Sequence, residues 1–157
     1  MTENSIFRGA ATALITPLNA EGIDYENFGK LIDWQIDEGI DSLVICGTTG
    51  EKSTLRYDEH LKVIEVAAKA CNKRVPLIAG TGSNDTDYAV KLSNEAEKDG
   101  ADALLLVTPY YNKTSQMGLI KQYEYINDRV STPIILYNVP SRTGVNILPE
   151  TYAELAK

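Results

Sequence analysis

Hydroxyls, phenols and one guanidinium recur in this chain at the ends of short apolar runs: Thr16, Thr48 and Thr49, Thr81, Tyr110 and Tyr111, Tyr137 and Arg142. Together with backbone N–H groups, such side chains hold a small carboxylate and relay protons. They offer no cluster of metal ligands and no converging pair of carboxylates, so metal-assisted hydrolysis and two-carboxylate glycoside chemistry find no support. Nor can they make or break a carbon–carbon bond unaided. That chemistry needs an electron sink, and with no cofactor motif in the sequence the obvious one is a lysine Schiff base. Cys46 and Cys71 stand apart without a CxxC pair, and His60 is the sole histidine. No metal, no disulfide framework and no cofactor is expected from that pattern.

Taken singly, each residue has a plainer reading. Tyr137 suits a core aromatic with a satisfied hydroxyl, Gly47 to Gly50 a tight turn, and Gly80-Thr81-Gly82 a turn rather than a phosphate loop. Tyr110 and Tyr111 suit interface packing, Arg142 a solvated loop cation, His60 a surface or interface position, and Cys46 a small buried hydrophobe. Their placement at successive strand ends is what makes them a set.

The elements that position them alternate strictly. The run 10–17 reads as a first strand closed by Pro17, and the polar residues 19–22 as a link to a helix capped by Asp24. That helix turns Phe28, Leu31, Ile32, Gln35 and Ile36 inward and ends at Gly39. A second strand, 42–46, stops at Gly47-Thr48-Thr49-Gly50-Glu51. A helix follows from Tyr57 to Cys71 with Leu61, Ile64 and Ala68 on one face. A third strand, 76–79, leads to a helix capped by Asp85 or Thr86, carrying Ala89, Leu92 and Ala96 and closing at Gly100. A fourth, 103–107, runs into Thr108-Pro109-Tyr110-Tyr111, then a helix over 115–128 burying Leu119, Ile120, Tyr123 and Ile126. The fifth strand, Pro133 to Tyr137, breaks into Asn138-Val139-Pro140-Ser141-Arg142-Thr143-Gly144, and Pro149 opens a fifth helix.

Units of roughly 30 residues alternating in this way imply right-handed βαβ crossovers and a parallel sheet. A doubly wound sheet calls for a glycine fingerprint after its first strand, and Thr16-Pro17-Leu18-Asn19 offers none. A (β/α)8 barrel needs about 250 residues, whereas 157 residues supply five strands. The fold expected is therefore α/β, of parallel (β/α)8 barrel type, with residues 1–157 as one N-terminal portion truncated to about a half-barrel.

A net charge of −7 argues against nucleic acid and against an anionic membrane surface. No run approaches the ~20 apolar residues of a membrane span, and the polar stretch Met1 to Arg8 lacks the layout of a signal peptide. With two unpaired cysteines, a cytoplasmic protein is the expectation.

Three of these motifs carry a family resemblance: Gly47-Thr48-Thr49-Gly50-Glu51, Thr108-Pro109-Tyr110-Tyr111, and Tyr137-Asn138-Val139-Pro140-Ser141-Arg142-Thr143-Gly144. They resemble the signatures of the dihydrodipicolinate synthases, pyruvate-dependent class I aldolases that open the diaminopimelate route to lysine, and the likeness runs from Phe7 to Lys157. The resemblance implies that pyruvate forms an imine with a lysine, becomes an enamine and attacks aspartate semialdehyde. Tyr137 would pass protons at the imine nitrogen and the substrate carbonyl. Thr48 would connect it to Tyr111, which in the family reaches across from a neighbouring subunit, so a homo-oligomer is implied. Thr49 and adjacent amides would hold the pyruvate carboxylate, and Arg142 that of the semialdehyde.

Two departures from the family pattern stand out. The family's imine lysine lies on the sixth strand, beyond Lys157, which itself belongs to the fifth helix; this chain by itself is therefore expected to be inactive. In lysine-inhibited members a polar, acidic cluster holds the effector. His60, Asn84 and Tyr110 match it, while Lys52 and Tyr88 replace a small polar residue and an acid, so weak or absent lysine inhibition is expected. Two alternatives stay open: a non-catalytic half-barrel that self-associates through its unpaired edges, and another pyruvate aldolase acting on sialic acid or a keto-deoxy sugar.

Overall fold

The computed structural model describes residues 5–157; the reading of Met1 to Arg8 falls partly outside them. The first strand, β1 (Ala11–Ala13), is shorter than the apolar run promised. Leu14 still donates its N–H to the Val44 carbonyl at 2.9 Å, but the chain then leaves the sheet, and Pro17 has no N–H with which to continue a ladder. The residues read as a plain link form a hairpin, β2 (Leu18–Asn19) against β3 (Gly22–Ile23). Its turn is held by the Glu21 N–H on Asn19 Oδ1 at 2.8 Å. Helix α1 (Tyr25–Asp37) starts where Asp24 accepts the Asn27 N–H, and Gly39 follows its end in the left-handed region at φ 89°.

Four further strands and their helices follow: β4 (Ser42–Ile45), a 3-10 turn (Lys52–Thr54), α2 (Tyr57–Cys71), β5 (Leu77–Gly80) and α3 (Thr86–Asp99). Then come β6 (Ala103–Val107), α4 (Gln116–Asn127), β7 (Ile134–Tyr137), a single turn α5 (Pro140–Thr143) and α6 (Pro149–Leu155). Asp85, not Thr86, caps α3, and Ser115 caps α4.

The main sheet is parallel with order β1-β4-β5-β6-β7. Each strand pairs with the next in sequence and the order never reverses. That is the winding of a barrel, and a doubly wound sheet would show a switch point. The helices pack in succession, α1 on α2, α2 on α3, α3 on α4 and α4 on α6. Apolar side chains from strands and helices interlock between the layers, including Phe28, Ile32, Leu43, Ile45, Val63, Ile64, Leu104, Leu106, Leu119 and Ile126.

One helix is rotated from the sequence reading. The buried stripe of α2 is His60, Val63, Ile64, Ala67 and Cys71; Leu61 and Ala68 are only half-buried. His60, expected at a surface or interface position, is 3% exposed. Its Nε2 lies 3.1 Å from the Gly80 carbonyl, which satisfies the ring where it is buried.

Candidate active site

The end of β5 and the loops after β4, β6 and β7 enclose a cavity of about 190 Å3 at the carboxyl end of the sheet. Thr48, Tyr137 and Arg142 line it, with Cys46, Lys52, Gly80, Leu105, Val107, Tyr110 and Thr143. In parallel α/β folds this is the end at which ligands bind.

Each wall has a local cause. At the end of β4 the chain turns sharply: Cys46 takes φ 51° and Glu51 φ 55°, both left-handed for residues with a Cβ. Backbone held in that region costs about 1 kcal/mol or more and gathers at functional sites. Close approach from β5 keeps it there. A Cβ on Gly80 would lie 2.1 Å from the Cys46 carbonyl oxygen, and one on Gly82 2.4 Å from the Val107 nitrogen. These glycines are neither a phosphate loop nor a simple turn; they let β5 slide beneath the loops on both sides. Thr16 ties the same turn to the first strand by donating its hydroxyl to the Gly50 carbonyl at 2.7 Å.

The tyrosine and arginine side of the cavity rests on a pair of threonines far apart in sequence. Thr108 Oγ1, after β6, donates to Thr143 Oγ1 at 3.0 Å; Thr143 Oγ1 also accepts the Val145 N–H at 3.2 Å. Both residues are buried. Asn138 braces the far end of this loop, donating to Asn146 Oδ1 at 2.8 Å and accepting the Ile147 N–H at 3.1 Å. The α5 turn that carries Arg142 closes on Gly144 at φ 68°. Arg142 is itself exposed at the mouth, with no carboxylate within ion-pair distance among the described residues, so its fork is open to a planar anion.

Three of the five expected catalytic and substrate residues share the cavity: Thr48, Tyr137 and Arg142. Thr49 is exposed and not among the lining residues. Tyr111 is 91% exposed, at φ 69°, and is not among the residues lining the cavity. Of the expected effector positions, Lys52, His60, Tyr88 and Tyr110 line a second, smaller cavity of about 120 Å3, while Asn84 faces an open groove between α3 and α4. Lys52 lines both cavities.

Sequence reasoning missed Lys52 as a wall of the main cavity, and it missed the Thr108–Thr143 pair. The first had a signal: a lysine shortly past a strand end, opening a turn of its own. The second had none, because the two threonines are 35 residues apart.

Burial sets the electrostatics. The Cys46 thiol is pushed up to about 12 by desolvation, so it stays protonated. Burial, and then the nearby Lys52 charge, lowers His60 to about 4, so the ring is neutral at pH 7. Lys52 is lowered to about 8 by burial, and its ammonium donates to the Gly82 carbonyl. Among the described residues no three His, Cys, Asp or Glu side chains gather as metal ligands, and no helix is long and apolar enough to cross a membrane.

Known proteins place this arrangement. The sequence model of the Dihydrodipicolinate synthetase family matches residues 6–157. The 4-hydroxy-tetrahydrodipicolinate synthase of Thermodesulfovibrio yellowstonii is 57% identical over 97% of this chain and 52% of its own length. That of Acetivibrio thermocellus is 56% identical over 97% and 52%. Among solved structures, dihydrodipicolinate synthase from Aquifex aeolicus superposes with a TM-score of 0.93 at 48% identity, over 96% of this chain and 51% of that one. YagE of E. coli K12, a prophage protein of the same family solved in complex with pyruvate, gives 0.93 at 34% identity, over 97% and 51%. The chain spans about half the length of the curated relatives it matches. A match along the whole described sheet, and to the loops that build the cavity, means that this chain belongs to the dihydrodipicolinate synthetase family.

Proposed function

We propose that this chain is the substrate-binding and proton-handling N-terminal portion of a (β/α)8 synthase that condenses pyruvate with aspartate 4-semialdehyde in the cytoplasm. The observation that carries the reading is the convergence of Thr48, Tyr137 and Arg142 on one cavity at the carboxyl end of the sheet. In this reading a lysine amine and the pyruvate carbonyl form an imine and release water. Loss of a methyl proton gives the enamine, whose carbon attacks the aldehyde. Tyr137 moves the proton between the imine nitrogen and the substrate oxygen, relayed through Thr48. Thr49 and the adjacent amides hold the pyruvate carboxylate, and Arg142 takes that of the semialdehyde. The exposure of Tyr111 suits a residue that completes the relay of a neighbouring subunit rather than its own.

The imine lysine is assigned to the stretch of the relatives that this chain does not span. Lys157 is a poor substitute: it follows α6, is exposed, and pairs with Glu154 at 2.6 Å. Borohydride reduction in the presence of pyruvate, read by intact mass, tests the assignment. The expected result is no adduct on this chain and one adduct on the longer protein that contains it. An adduct on this chain would place the nucleophile within it, and none on either protein would remove the Schiff-base reading. Free lysine is expected to inhibit the longer protein weakly or not at all, since the Lys52 ammonium occupies the cavity where a ligand ammonium would have to sit; inhibition at low-millimolar lysine would refute this. A polyol aldehyde needs no cation at the mouth, so sialic acid or keto-deoxy-sugar cleavage that outpaces semialdehyde condensation would favour the other aldolases.

A second reading concerns the chain on its own. β1 and β7 each pair along one edge only, and unpaired edges invite association. Light scattering on dilution is expected to show self-association; a dilution-stable monomer would refute it.

A further inference from the structure

Lys52 stands apart from the lysines of the helix surfaces. Lys30, Lys62, Lys98 and Lys121 each give their ammonium to a carboxylate three or four residues away, which holds the proton on. Lys52 has no carboxylate partner among the described residues. It sits on the wall shared by the two cavities, and neither has an Asp or Glu in its lining. One of its three N–H bonds goes to the Gly82 carbonyl. Burial without a counter-charge drives the group towards its neutral, nucleophilic amine, down to about 8 from an ordinary 10.5. The titratable neighbours do not supply a negative charge. His60 is neutral at pH 7 with its Nε2 at the Gly80 carbonyl, the Cys46 thiol stays protonated, and Arg142, the other charged residue of the main cavity, is itself a cation. What surrounds the amine on its far side is a set of hydroxyls, those of Ser53, Ser83, Tyr88 and Tyr110, around a space of about 120 Å3. Ser83 Oγ accepts the Asp85 N–H at 3.1 Å, which leaves its proton free to donate.

We propose that Lys52 is a site of covalent modification by carbon dioxide, which it takes up as a carbamate whose oxygens accept the protons of the neighbouring hydroxyls. The neutral nitrogen attacks the carbon of CO2; an N–C bond forms, one C–O π pair moves onto oxygen, and the nitrogen releases a proton to solvent. No oxidant or reductant is needed. The carbamate nitrogen keeps one N–H, so the bond to the Gly82 carbonyl survives. The exchange replaces an unpartnered cation by an anion among donors, where a lining carboxylate would have opposed it. A surface lysine that took up CO2 would instead give up its ion pair. The modification is independent of whether the chain performs the condensation.

The test equilibrates this chain with 13C-bicarbonate at pH 8, reads the carbamate carbon by NMR, then fixes it as the ethyl ester with triethyloxonium and locates it by peptide mass. At that pH Lys52 is about half neutral, whereas an ordinary lysine is almost wholly protonated. Ethyl carbamate at Lys52 is therefore expected to exceed that at Lys98 by at least about tenfold. The chain's α-amino group also takes up CO2 at this pH, and peptide mass separates the two. K52M and K52Q are expected to lose the Lys52 carbon signal while K98M, at an exposed helix position, keeps it. Having both neutral variants guards against one of them misfolding. No label on Lys52, a label no greater than that on Lys98, or a carbon spectrum unchanged in K52M or K52Q would overturn the proposal.

Discussion

Replacing Thr143 by valine removes one hydroxyl and almost no volume, and the structure says what that hydroxyl does. Thr143 Oγ1 is buried and accepts from Thr108 Oγ1 at 3.0 Å and from the Val145 N–H at 3.2 Å; its own proton reaches the Val145 carbonyl at 3.0 Å. Valine leaves two buried donors without an acceptor. Each such orphan costs about 1–3 kcal/mol, so T143V is expected to destabilise the chain by about 2–4 kcal/mol. At a urea m-value of about 2 kcal/mol/M that lowers the midpoint by about 1–2 M with an unchanged slope.

T143S keeps the hydroxyl and loses one methyl, about 0.8 kcal/mol. T108V removes a donor that has no other partner, about 1 kcal/mol. Because Thr108 and Thr143 meet each other, the double variant is expected to cost less than the sum by about 0.5–1.5 kcal/mol. Urea unfolding followed by circular dichroism reads all four. A T143V midpoint within 0.3 M of wild type, or T143S as damaging as T143V, would refute the claim that this hydroxyl locks the Arg142 loop to the end of β6.

G80A puts a Cβ 2.1 Å from the Cys46 carbonyl oxygen and 2.7 Å from its carbon, backbone atoms that cannot swing aside. A loss of about 3 kcal/mol is expected from chemical denaturation, and a variant as stable as wild type would show that the two strand ends are looser than described. Lowering pH below 6.5 is expected to cost stability through His60. The His60 pKa falls from 6.5 to about 4 on folding, so the unfolded chain takes up the proton first; stability is full above pH 6.5 and falls on the way to pH 4, by at most about 3 kcal/mol. H60Q, measured by urea unfolding across pH 5–7, is expected to flatten the slope; an unchanged slope would assign it elsewhere. Native iodoacetamide is expected to leave both buried cysteines unmodified, Cys46 because its thiol stays protonated; a single adduct at Cys46 by peptide mass would show the cavity wall to be open and its thiol activated.

The barrel winding was legible in the sequence because its signals are local. Strand ends marked by Gly, Pro and Thr, caps at Asp24 and Asp85, and a proline at the first position of α6 all act within a few residues, and all recur in the structure. The misses share a different origin. The α2 stripe was rotated because His60 was counted as polar and therefore outward; with the ring admitted, positions 60, 63, 64, 67 and 71 form a clean helical face. A histidine goes inward when a carbonyl waits for it, and that carbonyl belongs to Gly80, twenty residues away. The hairpin after β1 is too short for alternation to register, with two residues in each strand. Gly80 and Gly82 looked like turn residues because sequence shows their freedom but not the backbone that presses on them. The same holds for the site. Tyr137, Thr48 and Arg142 could be found because each sits just past an apolar strand, whereas Thr108 and Thr143 meet only once β6 and β7 are in register at Val107 and Tyr137. Lys52 sits on the border between the two cases. Its place in the sequence marks it as close to the site, and only the packed structure shows it as the wall between two cavities, with its charge unmatched.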